Sequence, residues 1–262
     1  MNMEINKRKK AYIYFAIGSF IIGTILLLNV FLQEDKTDDR GCRKNITCKS
    51  VILIDHSEAI PTQTKTEIIT RASEYIKNTV RENELVSVFT ITQLSQNDLH
   101  PIFEKCKPPK EGNRLYQDVK TIENRFREDF EKPLLKVLNM SIDGSNETPM
   151  AQAIIDISRS TRYFRCKEPS VLIFSDMLEN TNNFSLYTFA GNSSQVIKDF
   201  THSRQGMIIR PTLANASVMI HLISRLNIQK ETIKNRDVLW NWFLGDNKGP
   251  RASISFDYLP GK

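Results

Sequence analysis

The chain has 262 residues, of which 40% are hydrophobic and 25% charged, with a net charge of +6. Such a length suits one large α/β domain with appendages, and such a composition supports a packed core. Apart from KRKK at 7–10 the basic residues are dispersed, with no basic stripe interleaved with aromatics, which argues against a nucleic-acid partner.

Residues 11–32, AYIYFAIGSFIIGTILLLNVFL, carry no charge. As a helix they rise about 33 Å, enough for a bilayer core of roughly 30 Å, so they predict a single N-terminal transmembrane helix. Lys7, Arg8, Lys9 and Lys10 precede the run, and Glu34, Asp35, Asp38 and Asp39 follow it. This asymmetry places residues 1–10 in the cytoplasm and everything beyond 32 outside. A cleaved signal peptide has a shorter apolar run and a small-x-small site, and LLNVFLQED offers none.

Residues 33–49 are polar and read as a tether to a domain over 50–262. Cys42, Cys48, Cys106 and Cys166 all fall on the exported side, where an even count suggests disulfides. Three pairings are open. With no CxxC and no nearby His pair, zinc is disfavoured. Sequons at Asn45, Asn139, Asn146, Asn183, Asn192 and Asn215 matter only in a eukaryotic secretory pathway.

SVILID (50–55) is a short apolar run that predicts a buried strand ending in Asp55. A helix is expected over 61–83, with Pro61 in its first turn and Ile68, Ile69, Ala72, Tyr75, Ile76 and Val80 at helical spacing. ELVSVFTIT (84–92) and HPIFEKC (100–106) read as strands whose link is too short for a crossover helix, so they pair antiparallel. Residues 114–139 are helical and interrupted at Pro133. A further helix covers 148–164, capped by Thr148 with Pro149 as its first residue. SVLIFSD (170–176) is another buried strand ending in Asp, followed by the long polar run 178–195 and a short helix near 194–201. SVMIHLIS (217–224), a helix over 230–246 and a last strand over 252–260 complete the chain. In LWNWF the spacing of Leu239, Trp242 and Phe243 places one helix face on the sheet. The alternation predicts an α/β domain: a three-layer Rossmann-like sheet, mostly parallel with one antiparallel edge strand.

In an open parallel sheet, ligands bind at the carboxyl ends of the strands, where strand order reverses. With 50–55 and 170–176 as central neighbours, Asp55 and Asp176 converge there with Ser57 and Thr148. Two carboxylates and two hydroxyls form a hard oxygen site suited to Mg²⁺ or Mn²⁺. Without metal, the same carboxylates accept from backbone N–H groups and from Ser57 and Thr148. His56 reads as a loop or rim residue.

The ordered set Asp55-His56-Ser57-Glu58-Ala59, ETPMAQA with Thr148, and FSDM with Asp176 resembles von Willebrand factor type A (VWA-like) domains, especially small membrane-anchored bacterial ones. That family builds a metal-ion-dependent adhesion site from D-x-S-x-S, a later Thr and a later Asp. The resemblance implies a periplasmic domain held in a bacterial inner membrane, binding a protein partner of the cell envelope through that partner's carboxylate. The family's second Ser is Ala59 here, so one metal-ligating oxygen is missing. It also implies that the four cysteines lie at the pole opposite Asp55. Two other functions are open. One is a metal-dependent phosphohydrolase, but Ser57 stands where its general acid is needed. The other is a metal-free structural component of an envelope assembly. No nucleophile–base arrangement marks an enzyme.

Overall fold

A computed structural model describes residues 14–24, 37–44, 46, 48–91, 99–111, 118–140, 144–159, 170–213, 216–245 and 253–259. The chain divides into two compact units, Met1–Thr37 and Asp38–Lys262. In the first, residues 14–24 are helical and expose Tyr14, Phe15 and Phe20. Among the described residues no helix is long and apolar enough to cross a membrane, which takes roughly 18 residues or more. Residues 11–13 and 25–32 of the expected span lie outside the described residues.

The second unit is built on six strands: β1 (Lys49–Asp55), β2 (Leu85–Ile91), β3 (Phe103–Cys106), β4 (Ser170–Ser175), β5 (Ser217–Ile223) and β6 (Ser253–Leu259). Their order is β3-β2-β1-β4-β5-β6. Only the β2–β3 pair is antiparallel, as the short link requires. Every residue of β1 is buried, because helices cover both faces of a parallel sheet.

Alternate residues of the central strands feed two cores. Val51, Leu53, Val171, Ile173, Val218 and Ile220 face one side. There they meet the helices Met150–Arg159 (which we label α4), Val196–Ser203 (α5) and Lys230–Leu244 (α6). Ile52, Ile54, Val86, Val88, Leu172 and Phe174 face the other side. They meet α1 (Thr62–Asn78), whose Thr64, Ile68, Ala72 and Ile76 form a buried ladder at every fourth position.

The remaining helical stretch departs from the expected break at Pro133. It runs through α2 (Val119–Arg125), a π-helical segment (Phe126–Glu131) and α3 (Lys132–Leu138). A proline inside a helix removes one backbone donor and crowds the preceding turn. The wider π turn lies directly before it, and the Asp129 carbonyl accepts instead from Lys105 Nζ at 2.9 Å. The helix therefore continues past Pro133.

The segment expected to be a tether joins the folded unit from Asp38 onward. The Asp38 carboxylate accepts from the backbone N–H of Arg40 and Cys42, and Cys42 is bonded to Cys106. Cys106 pairs in register with Leu85, so this disulfide sits where the parallel strands begin, away from Asp55. Cys48 is also disulfide-bonded, and Cys166 lies outside the described residues.

Candidate functional site

Asp55 ends β1 and Asp176 follows β4, and these two strands are hydrogen-bonded neighbours. Both carboxylates are buried, Asp55 completely. Buried carboxylates need donors, and each oxygen of the pair has one. Asp55 Oδ1 accepts from the Ser57 N–H at 3.0 Å, and Oδ2 from Ser175 Oγ at 2.7 Å. Asp176 Oδ1 accepts from the Leu178 N–H at 2.9 Å, and Oδ2 from Arg225 Nε at 2.7 Å. The backbone donors are the N–H groups of Ser57 and Leu178, and the hydroxyl donor among the described residues is that of Ser175 rather than Ser57 or Thr148.

The loops around the pair are packed against one another. Ser145 donates its N–H to the Ser57 carbonyl at 2.8 Å. Gly144 comes so near that a Cβ there would lie 3.0 Å from the same oxygen. Thr148 is buried and forms an antiparallel bridge with Asn180, with α4 beginning two residues later at Met150. His56 is buried rather than at a rim, and burial holds its pKa below the ordinary value.

The exit from β4 is bent sharply. Met177 is fully buried with φ of 59°, a conformation uncommon outside glycine. It is held from several sides. Its N–H donates to Ser175 Oγ at 2.8 Å and its carbonyl accepts from Trp240 Nε1 at 2.6 Å. Arg236 Nη1 donates to the Asp176 carbonyl at 3.3 Å. Beside this corner the Asp176 carboxylate meets Arg225, which follows β5.

Arg225, just beyond β5, is the group sequence reasoning missed. Besides Asp176, its guanidinium donates to the Ala59 carbonyl at 3.1 Å and stands 3.4 Å from Glu58 Oε2. Its Nη2 is buried without a hydrogen-bond partner among the described residues. Desolvation works against the charged guanidinium, but Asp176, Glu58 and Asp55 outweigh it and hold its pKa above the ordinary value. Burial and the neighbouring Asp55 push the Asp176 carboxyl up as well, to about 6, with Arg225 partly offsetting them. Glu58 is also held by Tyr187 Oη at 2.6 Å, so the side chain next to Ala59 faces Arg225 and the loop after β4.

These residues do not fit a divalent cation. Each oxygen of Asp55 and Asp176 already accepts a hydrogen bond, Ala59 brings no side-chain oxygen, and a fixed positive charge lies against Asp176. A metal ion at the same carboxylate would face like charge. Among the described residues no group of three or more His, Cys, Asp or Glu is placed to hold a metal.

The 178–195 segment, polar in composition, is built into the domain. Phe184 and Leu186 are buried, and Asn180 bridges both Thr148 and Ser185. Glu179 is buried at the head of α4, accepting from the Ala151 N–H at 2.9 Å, and burial pushes its carboxyl up to about 8. A carboxyl raised in the folded state gives stability below its ordinary value of 4.5 that is lost as pH rises through about 8. Glu179→Gln keeps an acceptor for Ala151 and removes this loss. Denaturant titrations are expected to show the variant more stable than the wild type above pH 8, on the order of 3 kcal/mol, with the difference vanishing in acid. A cleft of ≈ 220 Å³ opens beside the ion pair, lined by Asp176, Leu178, Leu222, Arg225, Arg236 and Tyr258 among others.

A parallel sheet in the order β3-β2-β1-β4-β5-β6 with β3 reversed, an Asp ending β1, Ser-Asp ending β4 and Thr148 before α4 together decide the architecture. The fold is VWA-like. No family model and no curated protein matches the chain. Among solved structures it is similar to the ArnB paralog VWA2 from Sulfolobus acidocaldarius, at 11% identity and a TM-score of 0.41, over 82% of this chain and 42% of that one. It therefore spans less than half the length of that protein. It is also similar to an aerotolerance-related membrane protein from Bacteroides fragilis NCTC 9343 with multiple mutations to serines, at 9% identity and a TM-score of 0.34, over 79% of this chain and 92% of that one. In this VWA-like chain the carboxyl ends of the strands carry a buried ion pair.

Proposed function

We propose that the chain is a protein-binding or scaffold module, anchored in the membrane through residues 11–32 with its VWA-like domain outside the cytoplasm, in the envelope of a bacterial cell. The observation that carries this reading is the rim around the ion pair. Tyr187, Leu226 and Tyr258 are 38%, 70% and 62% exposed. Tyr187 reaches Arg225 through Glu58, Leu226 follows Arg225 in sequence, and Tyr258 shares the cleft with Arg225 and Asp176. Exposed tyrosines beside a rigidly held arginine are residue types that protein interfaces favour.

Catalysis is not part of the reading. Asp55, the residue a phosphohydrolase would use as its nucleophile, is fully buried with both oxygens hydrogen-bonded. A purely structural role in an envelope assembly would instead use sheet edges or helices, away from this rim.

The test is site-specific photo-crosslinking in cells, with the full-length chain carrying the crosslinker at 187, 226 or 258 and, as control, at 135, an exposed position on α3. The expected result is one discrete protein adduct from the rim positions, absent at 135 and lost when Glu58→Lys reverses charge at the centre. Equal adducts from rim and control, or none from the rim, contradict the proposal.

A further inference from the structure

We infer that Arg225 is this protein's own cation at the carboxyl ends of the strands, so that the carboxylates there have a built-in counter-charge and the site works without a divalent ion. Three carboxylates meet there, those of Asp55, Asp176 and Glu58, and one guanidinium serves them. Arg225 Nε lies 2.7 Å from Asp176 Oδ2 and 3.4 Å from Glu58 Oε2, and Nη1 donates to the Ala59 carbonyl. The same side chain thus reaches the end of β4 and both positions after Ser57, joining the loops that a shared ion would otherwise have to join. Ala59 fits this arrangement. A methyl leaves the backbone carbonyl as the acceptor, and a guanidinium needs acceptors in its plane rather than a spherical shell.

Two further features agree. Arg225 is only 11% exposed, so its charge is largely desolvated and its attraction to the carboxylates is little screened by solvent. Its Nη2 lies on the same edge of the planar guanidinium as Nε, the edge turned toward Asp176, and is buried without a partner among the described residues. A donor left idle there fits a group retained for its charge more than for a complete set of hydrogen bonds. The acidic set around it is a latent metal site, and the guanidinium is what keeps it closed.

The inference stands apart from the proposed binding function. A failure to find a partner leaves it intact, and manganese binding by the native protein would overturn it without touching the rim. The test uses the full chain and Mn²⁺ alone, with free Mn²⁺ read by electron paramagnetic resonance. The wild type and Arg225→Lys, which keeps a cation, are expected to show no saturable binding. Ala59→Ser combined with Arg225→Ser is expected to bind one Mn²⁺ at least about a hundredfold tighter than the wild type, since the like charge opposing the ion is gone. Adding Asp176→Asn is expected to abolish that binding. One-site Mn²⁺ binding by the wild type that is lost in Asp176→Asn overturns the inference. So does a folded double variant, with its thermal transition intact, that remains blind to Mn²⁺. Should the double variant not fold, the wild-type and Arg225→Lys titrations decide alone.

Discussion

Replacing Arg225 with alanine is expected to lower the stability of the domain by about 3 to 5 kcal/mol at neutral pH, because it strands buried carboxylates without their counter-charge. Asp176 and Arg225 are 3% and 11% exposed, so solvent does little to soften the loss. The deficit should depend on pH in a particular way. With Arg225 present, the Asp176 carboxyl stands at about 6, against an ordinary 3.8. Arg225 pulls it down, so removing the guanidinium moves it higher still. A carboxyl raised in the folded state lends stability at low pH that disappears as pH rises through its folded value. Below about 6, Asp176 is protonated in both proteins and the deficit is smallest. Above it the wild type holds an ion pair, while the variant must keep the proton or bear the unpaired charge, and the deficit grows. Urea titrations across that range check this, and a deficit that shrinks on raising the pH would contradict the pairing.

Trp240→Ala is expected to cost about 3 to 5 kcal/mol through the cavity it leaves in the core. Trp240 is 1% exposed and packs edge-on against Phe243. The indole also donates to the carbonyl of Met177, the residue that holds the left-handed turn after Asp176. Trp240→Phe separates the two roles. It keeps most of the packing and leaves a buried carbonyl without its donor, for about 1 to 3 kcal/mol. Both variants free the corner that positions Asp176, so the rim-specific crosslink should weaken in Trp240→Phe even where the domain stays folded. An unchanged crosslink in Trp240→Phe would show that the corner does not position the binding face.

Much of this architecture is legible in the residues. Apolar runs at 50–55 and 170–176 announce buried parallel strands because both faces of such a strand meet helices. The reversed β3 follows from a link too short to cross the sheet. The convergence of Asp55 and Asp176 follows once those two strands are neighbours.

What is not legible is anything set by a partner distant in sequence. Arg225 sits in ISRLNIQK, where a lone cation after a strand looks like a solvated exit residue. Only the fold brings it to Asp176, 49 positions earlier. Ser175 is hidden for the same reason. By strand alternation it is one more small residue at the end of β4, and its bond to Asp55 appears only once β4 lies beside β1. The packing of the 178–195 segment is hidden by its composition, since buried Phe184 and Leu186 are too few among its polar residues to form a period. In LWNWF the spacing identifies the buried face correctly at Leu239 and Phe243. Trp242 is partly buried, packed against the same core and against Phe200 with the Arg210 guanidinium over its ring, while Trp240, which the spacing does not single out, is the deeper residue.

The central claim is that a guanidinium, not a metal ion, closes the carboxyl ends of β1 and β4. The most direct measurement is a crystal structure of the domain grown in millimolar manganese, with data collected to reveal anomalous scattering from Mn²⁺. The expected map shows Arg225 Nε on Asp176 and no anomalous peak within bonding distance of Asp55 or Asp176. A manganese peak between those carboxylates, with Arg225 swung out, would contradict the account.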